Sequence, residues 1–176
     1  MSAVRSHSLA IALAAWSVTG STHAHSLPAQ ASPAPRRPVT YLRDETTDVR
    51  GSTVKLLGGS TWRTTGLSLL LPITAVIIVR SDSSDIGLLY ADGVDEVVTR
   101  VSGSVAWDVG TLTSVVRQFD KGAVLQTADG RLWNVPSYDR YDSGWWLPPY
   151  PALITSSELY LFNLKKGKRI WVSPTK

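Results

Sequence analysis

Between Tyr138 and Pro151 the chain reads YDRYDSGWWLPPYP, five aromatic side chains and three prolines within 14 residues. Prolines stiffen the backbone and withhold ladder hydrogen bonds. Tyr and Trp offer large contact areas at small entropic cost, which is why binding surfaces favour them. With Asp139 and Arg140 beside them, these aromatics suit a sugar or a proline-rich peptide. The candidate binding residues are Tyr138, Asp139, Arg140, Tyr141, Trp145, Trp146 and Tyr150. A structural use is also open, in which Trp146, Leu147 and Tyr150 plug the end of a barrel. Of the two adjacent tryptophans, Trp146 beside Leu-Pro is expected in the core and Trp145 outside it. Tyr138, Tyr141 and Trp145 are expected to form one exposed face with Arg140.

Catalytic groups are sparse. The chain has no cysteine, which excludes thiol catalysis and thiolate metal sites. Of its three histidines only His25 lies beyond the first 24 residues. A Ser-His-Asp triad therefore lacks an anchored base. As a new N-terminus His25 could offer an amine and an imidazole to copper, but such a clamp needs a second histidine. Asp82 and Asp85, like Asp92, Asp95 and Glu96, do not complete a calcium loop and read as solvated turns. Asp139 and Asp142 sit three apart on one loop, whereas a glycosidase needs carboxyls on both sides of a cleft. Phosphate-loop, dinucleotide and nucleophile-elbow motifs are absent. The expectation is no catalytic residue, no metal and no cofactor.

The elements that hold the aromatic loop begin after a processing segment. Residues 1–24 read as a signal peptide: Arg5 and His7, an apolar stretch from Leu9 to Trp16, and Thr22-His23-Ala24 before the cut. That apolar stretch is too short to span a bilayer. The expected location is periplasmic or secreted. The mature chain keeps 17 Lys and Arg against 14 Asp and Glu, a mild balance for a nucleic-acid binder, and none of that class's motifs appears. Residues 25–40 (HSLPAQASPAPRRPVT) read as a Pro/Ala-rich flexible leader. Leu67 to Val79 (LSLLLPITAVIIV) is broken by Pro72, and its β-branched second half fits a strand buried on both faces. No transmembrane segment is expected after cleavage.

From there the chain repeats its own punctuation. Asp48–Trp62 (DVRGSTVKLLGGSTW) lies over Phe119–Trp133 (FDKGAVLQTADGRLW) without a gap, matching Gly51 to Gly122 and Gly59 to Gly130. Leu71-Pro72 matches Leu147-Pro148, and a hairpin around Gly93 matches one around Gly167. Trp62 precedes its proline by 10 residues and Trp133 by 15, so the second copy carries about five extra residues in the aromatic loop. Short runs broken by Gly58-Gly59, Asp92-Gly93, Asp129-Gly130 and Lys166-Gly167 predict an all-β chain. Leu112 to Phe119 reads equally as a strand or a helical turn. The predicted architecture is two tandem small barrels, SH3-like or OB-like, over 41–104 and 105–176; the alternative is one pseudo-symmetric β-sandwich.

The pattern DGRLWNV (129–135), DRY (139–141) and WLP (146–148) resembles small exported β-domain proteins of bacteria, over about a third of the chain. The resemblance implies export and an all-β fold, and it lends no activity. The expected function is an exported binding module for an envelope protein, peptide or glycan. A structural envelope protein is the alternative, followed by a carbohydrate- or peptide-active enzyme. The hairpin Lys165, Lys166, Lys168 and Arg169 either meets anionic polymers or head groups, or is a solvated hairpin that blunts a sheet edge.

Overall fold

The computed structural model describes residues 36–65 and 74–175. The signal peptide, His25, most of the leader and the Leu71-Pro72 match lie outside the described residues. Six strands make the first half: β1 (Arg37–Arg50), β2 (Thr53–Leu56), β3 (Thr61–Thr64), β4 (Ala75–Arg80), β5 (Ile86–Ala91) and β6 (Val94–Ser102). All their pairings are antiparallel, in the order β1–β2–β3–β6–β5–β4 and back to β1, a closed barrel. Closure decides for a barrel over a sandwich and leaves this ring without an edge. Residues 37–40, assigned to the leader from composition, are strand: Arg37 to Tyr41 already pair with the second half.

The second half comprises β7 (Asp108–Phe119), β8 (Val124–Thr127), β9 (Leu132–Asn134), β10 (Tyr150–Thr155), β11 (Tyr160–Asn163), β12 (Lys168–Trp171) and β13 (Ser173–Pro174), with a short helix, α1 (Arg140–Gly144). Its pairings follow the same order. β7 pairs β8, β8 pairs β9 and β9 pairs β13; on the other side β7 pairs β10, β10 pairs β11 and β11 pairs β12. Only Val172 separates β12 from β13. Leu112 to Phe119, left open between strand and helical turn, is strand.

Each long first strand bends to serve both sides of its ring. The register of β1 on β2 slips between Thr46 and Asp48, and that of β7 on β8 slips between Val115 and Arg117. An extra residue at such a bulge turns the strand. Trp62 in β3 and Trp133 in β9 are fully buried. Each indole N–H reaches a hydroxyl, Ser60 Oγ at 3.0 Å and Thr127 Oγ1 at 3.1 Å. A buried indole without such a partner would leave its N–H unsatisfied.

Strand alternation explains why AVIIV is apolar throughout. Val76 and Ile78 face the first barrel's core, while Ile77 and Val79 face a separate cluster between the barrels. In β10, Ala152 and Ile154 fill the second core and Leu153 joins the same intervening cluster. The barrels are thus joined by the β1–β7 ladder and a shared apolar seam.

Candidate functional site

The aromatic loop leaves β9, passes a 3-10 turn at Ser137–Asp139, enters α1 and returns through prolines to β10. The backbone stays helical from Asp139 to Trp145. Residues three or four apart in such a segment share a face. Tyr138, Tyr141 and Trp145 form one stripe, and they are 68%, 79% and 75% exposed. Asp139, Asp142, Ser143 and Trp146 form the other, and every one of them is engaged.

Asp139 Oδ2 accepts the Trp171 backbone N–H at 2.6 Å, so the loop caps β12 on the side where no described strand pairs with it. Asp142 pairs with Lys168 Nζ at 3.0 Å. Ser143, fully buried, donates to the Gly122 carbonyl at 2.8 Å. With its amide nitrogen facing them, Gln118 donates to the carbonyls of Ser143 and Trp146 at 2.9 Å each. Apart from the buried Trp146, the usual arrangement is inverted: polar side chains point inward as tethers, and Tyr138, Tyr141 and Trp145 point out.

This sorts the seven candidate residues. Tyr138, Tyr141 and Trp145 are free side chains on one face. Asp139 and Arg140 hold the loop, Arg140 by donating from Nε to the Val135 carbonyl at 3.1 Å. Trp146 and Tyr150 are only 3% exposed and pack edge to face at 5.8 Å. As direct ligand contacts those two are corrected: they belong to the core, because Trp146 projects from the inner stripe and Tyr150 opens β10. Burial pushes the Tyr150 hydroxyl pKa well up.

Leu147 is corrected in the other direction. Grouped with Trp146 and Tyr150 in the plug alternative, it is 80% exposed. It shares a cleft of about 210 Å³ with Trp145, Lys165 and Lys166. The basic hairpin therefore forms a cationic margin to the aromatic stripe, an adjacency invisible in sequence because a stretch of about 20 residues that includes β10 and β11 intervenes. Lys168, in the same hairpin, is committed to Asp142.

A recognition surface is what this arrangement supports chemically: planar apolar groups with cations at one side. Its two carboxylates already accept bonds from Trp171 N–H and Lys168. Among the described residues, no group of three or more His, Cys, Asp or Glu could hold a metal ion. Likewise, no described helix is long and apolar enough to cross a membrane. Comparison with protein-family models, with curated proteins and with solved structures finds no match.

Proposed function

We propose that this chain is an exported, non-catalytic binding module that captures a protein, peptide or glycan of the cell envelope with the Tyr138–Tyr141–Trp145 stripe. The observation that carries this reading is the inverted helix. Three large aromatics face solvent while Asp139, Asp142 and Ser143 spend their polarity tethering the loop. An insertion that only stabilised the barrel would present its apolar side inward. Clustered exposed aromatics favour association with a partner. The rim of Lys165 and Lys166 favours a partner with some negative charge.

The test compares capture from envelope extract by the wild type and by Tyr138→Ala/Tyr141→Ala/Trp145→Ala. Equal melting temperatures with loss of the captured partner support the reading. Undiminished capture by the triple variant removes it. Removing the charge with Lys165→Gln/Lys166→Gln is expected to weaken capture at low salt more than at high salt.

A further inference from the structure

A second constellation lies at the seam between the barrels and does not rest on the aromatic stripe. The β1–β7 register sets Tyr41 opposite Asp108. Arg43 follows Tyr41 by two residues and so shares its face of β1. On the other barrel the β11–β12 register sets Phe162 opposite Arg169, and the Phe162 ring packs on Tyr41 at 5.8 Å. Tyr41, Arg43, Asp108 and Arg169 thereby line one pocket of about 400 Å³, with Ser156 and Ser157. That volume lies in the range of small-ligand sites.

The charged groups of this pocket are left available, while Ser157 is hydrogen-bonded to Thr155 at 3.0 Å. Neither Arg43 nor Arg169 forms an ion pair with a described carboxylate, and Asp108 pairs with no described cation. Arg169 lies over the Tyr160 ring at 4.7 Å, and Tyr160 is backed by Trp171 at 4.2 Å, so this guanidinium is held in place by aromatic packing. Tyr41 is 6% exposed, yet its hydroxyl has no hydrogen-bond partner among the described residues. Burial and the nearby Asp108 raise that hydroxyl's pKa, against the pull of Arg43 and Arg169, so it remains a donor at neutral pH.

Charge and geometry narrow the ligand. Two guanidiniums against one carboxylate leave a net charge of about +1, which a monoanion neutralises and a zwitterion does not. A guanidinium fork matches a carboxylate in two-point contact. An inorganic anion offers Asp108 at most its own acidic proton, whereas a sugar ring offers several hydroxyl donors beside its carboxylate. We infer that the seam pocket binds a carboxylated sugar of the uronate class, its carboxylate on Arg43 and Arg169 and a ring hydroxyl on Asp108.

Calorimetric titration of the purified protein with glucuronate, glucose, inorganic phosphate and glycine tests this. Saturable glucuronate binding, with a dissociation constant of about 1 mM or below, is expected, with glucose, phosphate and glycine at least tenfold weaker. Arg43→Gln and Arg169→Gln should each weaken glucuronate at least tenfold. Asp108→Asn should weaken glucuronate while strengthening phosphate. Arg43 is solvent-exposed, so its variant should keep the wild-type melting temperature and separate binding from folding. Tyr138→Ala/Tyr141→Ala/Trp145→Ala should bind glucuronate as the wild type does, which keeps this site distinct from the aromatic stripe. The inference is overturned if glucuronate fails to bind, if phosphate or glycine binds as tightly, or if both arginine variants bind glucuronate unchanged.

Discussion

Trp145 and Trp146 are adjacent in the chain and opposite in environment, 75% against 3% exposed. The split follows from the helical segment they end: Trp145 continues the outward stripe of Tyr138 and Tyr141, and Trp146 the inward one of Asp142 and Ser143. Replacing each by Ala should therefore give different results. Trp146→Ala empties a core site beside Trp133 and Tyr150, and the loss should be about 3–5 kcal/mol. Trp145→Ala should stay within about 1 kcal/mol of the wild type. Urea unfolding of both variants measures this, and equal losses would place both rings in the core.

Gly122 carries the loop from beneath. Its φ is +85°, and a Cβ there would lie 2.5 Å from the Gly144 nitrogen and 2.6 Å from the Ser143 carbonyl carbon. Both partners are backbone, so neither can swing aside. Gly122→Ala should destabilise the protein by about 1–3 kcal/mol, through the left-handed conformation and the collision together. It should also loosen α1. Faster amide exchange at Trp145 and Trp146, whose N–H groups bond to the Asp142 and Ser143 carbonyls, is the expected signature. Unchanged exchange would mean that the loop is seated independently of this contact.

Local rules make much of the fold readable in the sequence. Gly51, Gly59, Gly122 and Gly130 all have positive φ, and the tryptophans aligned by those glycines are both fully buried. AVIIV reads as buried on both faces because nothing in it is polar. The loop was legible as an aromatic concentration, but its inner and outer faces were not. Asp139 finds its partner 32 residues away and Ser143 finds its own 21 away, and no periodicity encodes such distances. Leu147 joins the core in the plug alternative because an apolar residue beside prolines reads as buried, whereas here it is held outward. The seam pocket draws on Tyr41 and Arg169 from different barrels, so only the β1–β7 pairing reveals it.

Tyr150 carries a stored penalty. Its ring is buried, and its hydroxyl meets no hydrogen-bonding side chain or backbone group of the described residues. Tyr150→Phe should be neutral or stabilising by about 1 kcal/mol at neutral pH, since it removes an unsatisfied group and keeps the ring. Burial raises the folded-state pKa, so the neutral hydroxyl is favoured in the fold and the unfolded chain ionises first. Stability should therefore fall as pH rises above about 10 in the wild type, and fall less in Tyr150→Phe. Thermal unfolding at pH 7 and pH 11 checks both statements, and a destabilised Tyr150→Phe at pH 7 would reveal a bond to the hydroxyl.

The acid limb of stability should depend on Glu158. Arg131 meets it with two parallel bonds, Nη1 to Oε1 at 2.7 Å and Nη2 to Oε2 at 2.9 Å, and Arg36 approaches at 3.6 Å. Arg131 also lies over the ring of Trp133 at 4.6 Å, so the pair sits beside a fully buried side chain of the second core. Hydrogen bonding from Arg131 is the main force holding the Glu158 carboxyl below its ordinary range; desolvation opposes it, and the charges of Arg131 and Arg36 add to it. A lowered folded-state pKa means that the carboxylate's contribution is present above the unfolded value of about 4.3 and is lost as pH falls through the folded value. Glu158→Gln keeps the residue's positive-φ backbone requirement while removing its charge. Its melting temperature should lie below the wild type's at pH 7, and the two should converge toward pH 2–3. Because both side chains are partly exposed, added salt should narrow the pH 7 difference. A difference that persists unchanged at pH 2 would show that Glu158 acts through packing rather than through its ion pair.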